Sequence, residues 1–434
     1  MTETSAIRGR LLTFVRAPTG AGDAASYRYI EDGIMLVQDG RIATFGPADE
    51  IAPQIPAGAA IAHHPDALIL PGFIDTHIHF PQTQVIASYG AQLMEWLEKY
   101  TFVEEQKFGD PAHAAPMARF FLDELARNGT TTACCYGSAH PQSVEALFAE
   151  AERRGAGLIA GTAIMDRNGP PALLDAARDC IAASRALIRR WHGTGRQRYA
   201  VTPRFAVTSS AAQLEAAGAL LREFPGVYMQ THLAENRDEI AAVRALFPDD
   251  PSYTAVYARF GLLGPRSLFG HCLHLDDREI ALLAESGSVA VFCPTSNLFI
   301  GSGLFDEARL SAHGVRIALA TDVGGGTSYS MLRTAAEAYK VMQLQGRNLP
   351  ALRAFDWMTR GNAEALGLVS EIGVLAPGAW ADLVVLNARA TPAMAHRMAV
   401  ARDLEEELFV LMTLGDDRAV AATYLRGRRA FPAT

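Results

Sequence analysis

The stretch LPGFIDTHIHFPQ, residues 70–82, decides how the chain is read. Its apolar run ends in two histidines one residue apart, His77 and His79. Alternate residues of an extended strand face the same side, so both imidazoles can reach one point. A lone His-x-His also fits buried or solvated histidines. The choice between filler and metal ligand therefore falls to the rest of the chain.

Seven further short apolar runs follow, starting at Thr130, Gly157, Tyr199, Val227, Ser267, Ser288 and Val315. The run from Ala67 counts as the first of eight. Between most of them lie stretches with the apolar spacing of amphipathic helices, such as SVEALFAEAERRG (143–155) and SAAQLEAAGALLREF (210–224). Eight strand–helix units over about 300 residues predict a (β/α)8 TIM-type barrel, an α/β fold. A doubly wound sheet competes. It usually carries a GxGxxG loop after its first strand, and the sequence has none.

The two ends of the chain differ from the middle. IMLVQDGRIATFG (34–46) reads as a hairpin turning at Asp39-Gly40. ADLVVLN (381–387) and VAATYLRGRRAF (420–431, turning at Gly427) have the same strand–turn–strand character. The expectation is a small β-sandwich domain built from residues 1–68 and 377–434, with the barrel over residues 69–376.

Composition sets bounds on function. The 434 residues carry a formal charge of -8, which argues against nucleic acid as a partner, since a nucleic-acid binder shows a basic face. The longest uncharged run, 286–305, holds Pro294, Asn297 and several Gly and Ser, and reads as strand and loop rather than a membrane span. The five cysteines include no CxxC pair, and an odd count leaves one unpaired; a reducing cytoplasm is expected. No basic region followed by a long apolar core opens the chain, so no signal peptide is expected.

In a barrel of this kind the active site forms where strands end. The first strand ends in His77 and His79, the fifth carries His232 with Glu235 three residues on, the sixth carries His271, and the eighth ends in Asp322. Histidines and a carboxylate suit a catalytic zinc, and ferrous iron suits the same ligand types. His63, His64, His113, His140, His192, His313 and His396 fall off the strand ends and read as ordinary. His274 falls in the loop after the sixth strand. Only three lysines occur, Lys99, Lys107 and Lys340, none near strands three to six. Binuclear hydrolases on this scaffold bridge two metals with a modified lysine at a middle strand end, so a single metal is expected. HExxH, GxSxG and the H-x-E with P-C-x-x-C pattern are absent.

Five segments together resemble the guanine deaminases of the amidohydrolase superfamily: PGFIDTHIHFPQ, LMEWLEKYTFVEEQKF, THLAENRDE, FCPTSNLFIGSG and TDVGGGTSYSML. The likeness runs from about residue 8 to 430. His-x-His and the last-strand Asp mark the superfamily, whereas EWLEKYTF (95–102), HFPQ (79–82) and TPRF (202–205) narrow it. The resemblance implies one Zn2+ per subunit held by His77, His79, His232 and Asp322. It implies Glu235 as proton shuttle and His271 beside the reacting water, which Asp322 also orients. Gln82, Arg204 and Phe205 match positions that contact the purine, and Trp96 is a candidate to stack on it. A homodimer is expected on the same ground. By residue type alone, Arg204 reads equally as a rim ion pair, Gln82 as a loop-capping amide, and Phe205 and Trp96 as core.

The reaction so implied is hydrolysis of guanine to xanthine and ammonia, with Glu235 carrying protons as general acid-base. A sister aminohydrolase acting on 8-oxoguanine, a pterin, a triazine or cytosine is the nearest alternative. A non-catalytic scaffold is a third reading, disfavoured because every ligand position is filled.

Overall fold

A computed structural model describes residues 4–89 and 92–432. The chain begins with β1 (Thr4–Phe14), β2 (Tyr27–Gln38), β3 (Arg41–Pro47) and β4 (Ala60–Pro71). The barrel strands follow: β5 (Phe73–His79), β6 (Thr130–Tyr136), β7 (Gly157–Gly161), β8 (Ala163–Ile164), β9 (Gln197–Pro203), β10 (Tyr228–Leu233), β11 (Ser267–His271), β12 (Val289–Phe292) and β13 (Arg316–Leu319). Three strands close the chain: β14 (Leu383–Leu386), β15 (Val420–Leu425) and β16 (Arg428–Phe431).

The terminal strands form one seven-stranded sheet in the order β16-β15-β14-β4-β1-β2-β3. Only β1 and β4 are parallel in it. The hairpin expected at Asp39-Gly40 forms, with both residues at positive φ (50° and 81°), as a two-residue turn joining twisted strands requires. Arg426 and Gly427 turn β15 into β16 in the same way, at φ 53° and 73°.

The barrel runs β5-β6-β7-β9-β10-β11-β12-β13, each strand parallel to the next, with β8 a short continuation paired to β9. Helices such as Pro111–Arg127, Pro141–Arg154 and Ala211–Glu223 cover the strands. Every residue of β5, β6, β7 and β11 is buried, as parallel strands packed on both faces must be. The end of β5 and the residues just after β13 close the ring through main-chain bonds. The Asp322 amide donates to the His77 carbonyl (2.9 Å) and the His79 amide to the Val323 carbonyl (2.6 Å).

Strand boundaries differ from expectation in more than one place; the eighth run, for one, stops at Leu319, short of Asp322. The run from Ala67 splits: 67–71 belongs to β4 of the terminal sheet, and the barrel strand starts at Phe73. Pro71 has no amide to donate, and Gly72 turns toward the sheet, bonding the Asp382 carbonyl at 2.8 Å. The run from Tyr199 stops at Pro203, so Arg204 and Phe205 stand in the loop beyond β9. These shifts leave the site side chains at the C-terminal rim.

Candidate active site

His77 and His79 project from the end of β5, His232 from β10 and His271 from the last position of β11; Asp322 follows β13 by three residues, at φ 53°. Four of their atoms converge. His79 Nε2 lies 3.2 Å from both His77 Nε2 and His232 Nε2, and Asp322 Oδ1 lies 3.3 Å from the Nε2 of His77 and of His79. A tetrahedron whose corners sit about 2.0 Å from its centre has edges of about 3.3 Å, the dimension of a four-coordinate zinc. Three imidazole nitrogens and a carboxylate oxygen that converge on one point are satisfied together by a shared cation. The donor set therefore fits one metal ion.

The surroundings prepare these ligands. His232 Nδ1 donates to the Arg204 carbonyl at 2.6 Å, which leaves its Nε2 lone pair aimed inward. Burial, then the neighbouring imidazoles, holds the pKa of His232 well below its usual value; burial also lowers that of His79 and takes His271 down to about 3. These rings are neutral, as ligation demands. Burial pushes the Asp322 carboxyl up, but the polar pull of the surrounding imidazoles, His77 first, and the hydrogen bonds from His77 and His79 outweigh it and hold the group well below the carboxylate range. Gly270 makes room for the first ligand: a Cβ there would lie 2.5 Å from His77 Cε1.

His271 sits to one side. Its Nδ1 lies 2.9 Å from Asn297 Nδ2, and its Nε2 lies 3.3 Å from Glu235 Oε2 and 3.8 Å from Asp322 Oδ2. Asn297 Nδ2 can only donate, so the imidazole proton stands on Nε2, facing the two carboxylates. Glu235 is 3% exposed, with Ser302 Oγ donating to its Oε1 at 2.9 Å. Burial, then the charges of Asp322 and Glu239, holds its pKa well above the usual range. A buried carboxyl that holds its proton more tightly than usual, set beside this cluster, is equipped to act as a general acid–base.

Gln82, Trp96, Arg204 and Phe205 line one cavity of about 400 Å³ together with His79, His232, Glu235, His271 and Asp322. The structure thus brings every sequence-predicted site residue to this one place, His77 lying just behind. Trp96 enters on the helical segment 93–109, and its buried Nε1–H has no partner among the described residues. His274 joins neither histidine group; its Nε2 lies 2.9 Å from the Ser302 carbonyl and so tethers the loop that reaches Glu235.

Sequence reasoning missed four contributors. Asp75 accepts from the Thr321 amide (3.1 Å) and hydroxyl (2.5 Å) and from the His77 amide (3.3 Å), tying β5 to the approach to Asp322. Its place two residues before His77, on the same strand face, was the available signal. Glu105 holds Gln82 and Arg204, Ser302 holds Glu235, and Asn297 holds His271. Nothing local marks these three; only the closed barrel juxtaposes them.

The amidohydrolase family profile matches residues 68–430. Guanine deaminase of Escherichia coli K12 is 45% identical over 427 residues, covering 98% of this chain and 97% of its own. The solved E. coli guanine deaminase structure superposes with a TM-score of 0.96 at 45% identity, covering 99% of this chain and all of its own. A guanine deaminase of C. acetobutylicum, solved with guanine bound in its active site, gives 0.88 at 27% identity, covering 99% and 100%. The chain belongs to the amidohydrolase family and, within it, to the guanine deaminases.

Proposed function

We propose that this chain hydrolyses guanine to xanthine and ammonia in the cavity at the barrel rim. The observation that carries the reading is the convergence of His77, His79, His232 and Asp322 at tetrahedral spacing beside the buried Glu235. Zn2+ is the proposed ion, one per subunit, held by those four side chains; the distances suit it. When bound, the ion supplies Lewis acidity that makes a water nucleophilic near neutral pH.

The remaining work falls to the chain. Asp322 and His271 orient the attacking water toward C2, an electron-poor amidine carbon. Glu235 takes the proton released by the attacking water and passes it to a ring nitrogen as the oxygen adds to C2; it then takes the proton of the C2 hydroxyl, which becomes the carbonyl, and delivers it to the amine as the C2–N bond breaks and ammonia leaves. Gln82 and Arg204 bring N–H donors to the base, and Phe205 and Trp96 wall the ring. A base that leaves these buried donors unpaired is rejected strongly, so adenine is a poor substrate.

The same reading takes the enzyme as a homodimer in the cytoplasm, acting in purine breakdown. The five cysteines are all free and buried, and among the described residues no helix is long and apolar enough to cross a membrane. The test is to purify the protein, weigh its metal by mass spectrometry, and follow guanine absorbance with ammonia release. The expected result is about one zinc per chain and guanine turnover. No turnover at micromolar enzyme, or no transition metal, overturns the proposal.

A further inference from the structure

The two base-reading side chains do not stand free. Glu105, on the helical segment 93–109, accepts from Gln82 Nε2 through Oε1 (3.1 Å) and from Arg204 Nη1 through Oε2 (2.6 Å). Glu105, Gln82 and Arg204 are 1, 2 and 3% exposed. Phe102, three residues earlier, lies under the guanidinium, 5.1 Å from ring centroid to Cζ. The clamp therefore joins the loop after β5 to the loop after β9 at the cavity wall.

Its chemistry has a direction. An ionised carboxylate only accepts. It forces Gln82 to turn its nitrogen toward Glu105 and its oxygen toward the Gly324 amide, 3.4 Å away. The second Nε2 hydrogen of Gln82 and the free guanidinium hydrogens of Arg204 remain for the cavity both residues line. The wall is thus committed to donating. A base presenting a ring carbonyl there is satisfied; one presenting an exocyclic amine meets donor against donor. Were Glu105 neutral and able to donate, the Gln82 amide could turn over and offer an acceptor.

We propose that Glu105 is a positioning residue that sets base selectivity, holding Gln82 and Arg204 as donors so that a 6-oxo purine is preferred over its 6-amino counterpart. This rests on the guanine reading above. The test is kcat and KM for guanine and for 2,6-diaminopurine, with metal content and melting temperature measured alongside, in wild type, Glu105→Gln, Glu105→Asp and Gln82→Ala, and with Glu105→Gln in the Gln82→Ala background.

Glu105→Gln is expected to raise KM for guanine about tenfold or more with kcat changed less than about threefold, and to cut the guanine-to-diaminopurine ratio of kcat/KM at least about tenfold. Glu105→Asp keeps a counter-ion for Arg204 but is too short to bridge both partners, and should fall between; it decides the matter if the glutamine variant does not fold. In the Gln82→Ala background, Glu105→Gln should shift selectivity much less, a coupling that general destabilisation does not produce. Unchanged selectivity in a metal-loaded Glu105 variant, or full additivity with Gln82→Ala, overturns the proposal while leaving the guanine reading intact. Absence of guanine turnover in the wild type overturns both.

Discussion

At Glu235 the carboxyl is buried beside the metal ligands without sharing their cluster. Its nearest cluster neighbour is His271, at 3.3 Å, and its other oxygen is occupied by Ser302. Glu235→Gln preserves shape and the Ser302 contact but removes the transferable proton. Metal content should be unchanged and kcat should fall by about 10²–10⁴; a variant with wild-type rate would refute the shuttle role. Gly270 tests the ligand cluster from the opposite side. Gly270→Ala places a methyl against the His77 ring, with buried strand on every side to hold it there. The purified variant should retain less than about a tenth of the wild-type metal, since one displaced ligand weakens such a site by 10–100-fold or more. Equal loading of the two proteins would show that the ring can yield. The pairing of His77 and His79 was legible because a strand's alternation carries both to one side whatever the rest of the fold does. Glu105 was not: it adjoins Glu104 in one acidic pair, and only the helix phase sends Glu104 out to Lys107 and Glu105 inward to Arg204.

The helix that follows Glu235 is anchored by an acid of unusual kind. Helix Arg237–Leu246 starts with a capping box, Asn236 accepting at the helix start and Glu239 accepting from the Asn236 amide (3.1 Å). Asn236 followed by Glu239 three residues on is a capping pattern visible in the sequence itself. That pattern did not announce that Glu239 would be fully buried, also receiving the Glu235 amide (2.8 Å) and the Tyr253 hydroxyl (2.7 Å). Burial, against these hydrogen bonds, raises its pKa from 4.5 to about 7. The folded state therefore binds a proton that the unfolded chain releases at lower pH. Stability from this group is complete below about pH 4.5 and is lost as pH rises through about 7, a change of about 3 kcal/mol. Glu239→Gln keeps an acceptor for the two amides and does not titrate. Urea unfolding of both proteins at pH 5, 6, 7 and 8 should show wild type losing about 2.5 kcal/mol relative to the variant across that range. Parallel curves would mean that Glu239 titrates normally in the fold.

On the scale of the whole molecule, the barrel and the terminal sheet meet through a buried ion pair. Arg196, just before β9, bonds Asp382, just before β14, through Nη1 to Oδ1 at 2.9 Å and through Nη2 to Oδ2. The same Arg196 Nη1 reaches the Gly155 carbonyl at 2.8 Å, and Asp382 accepts the Arg426 amide at 3.0 Å. Trp380 lies beneath, with Arg41, Arg196 and Arg426 over its ring at 3.7, 5.1 and 5.1 Å. The eightfold strand pattern and the two hairpins were readable because each is local, set by apolar spacing and by turns such as Asp39-Gly40. This junction joins residues 186 apart in sequence, and an arginine or an aspartate beside a strand looks like any other surface charge until the sheets meet. Both members are at most 5% exposed. Removing one partner of such a pair leaves the other charge buried and unmatched, at a cost of about 3–5 kcal/mol. Asp382→Ala should therefore unfold at markedly lower denaturant concentration. Asp382 takes no part in the rim, which lies at the opposite, C-terminal ends of the strands, so kcat per metal-loaded chain should stay within about twofold of wild type, as expected of sites without shared partners. A denaturation midpoint like that of wild type would show that the junction is held without the pair. A kcat that falls with stability would instead mean that the terminal sheet shapes the rim through the body of the barrel.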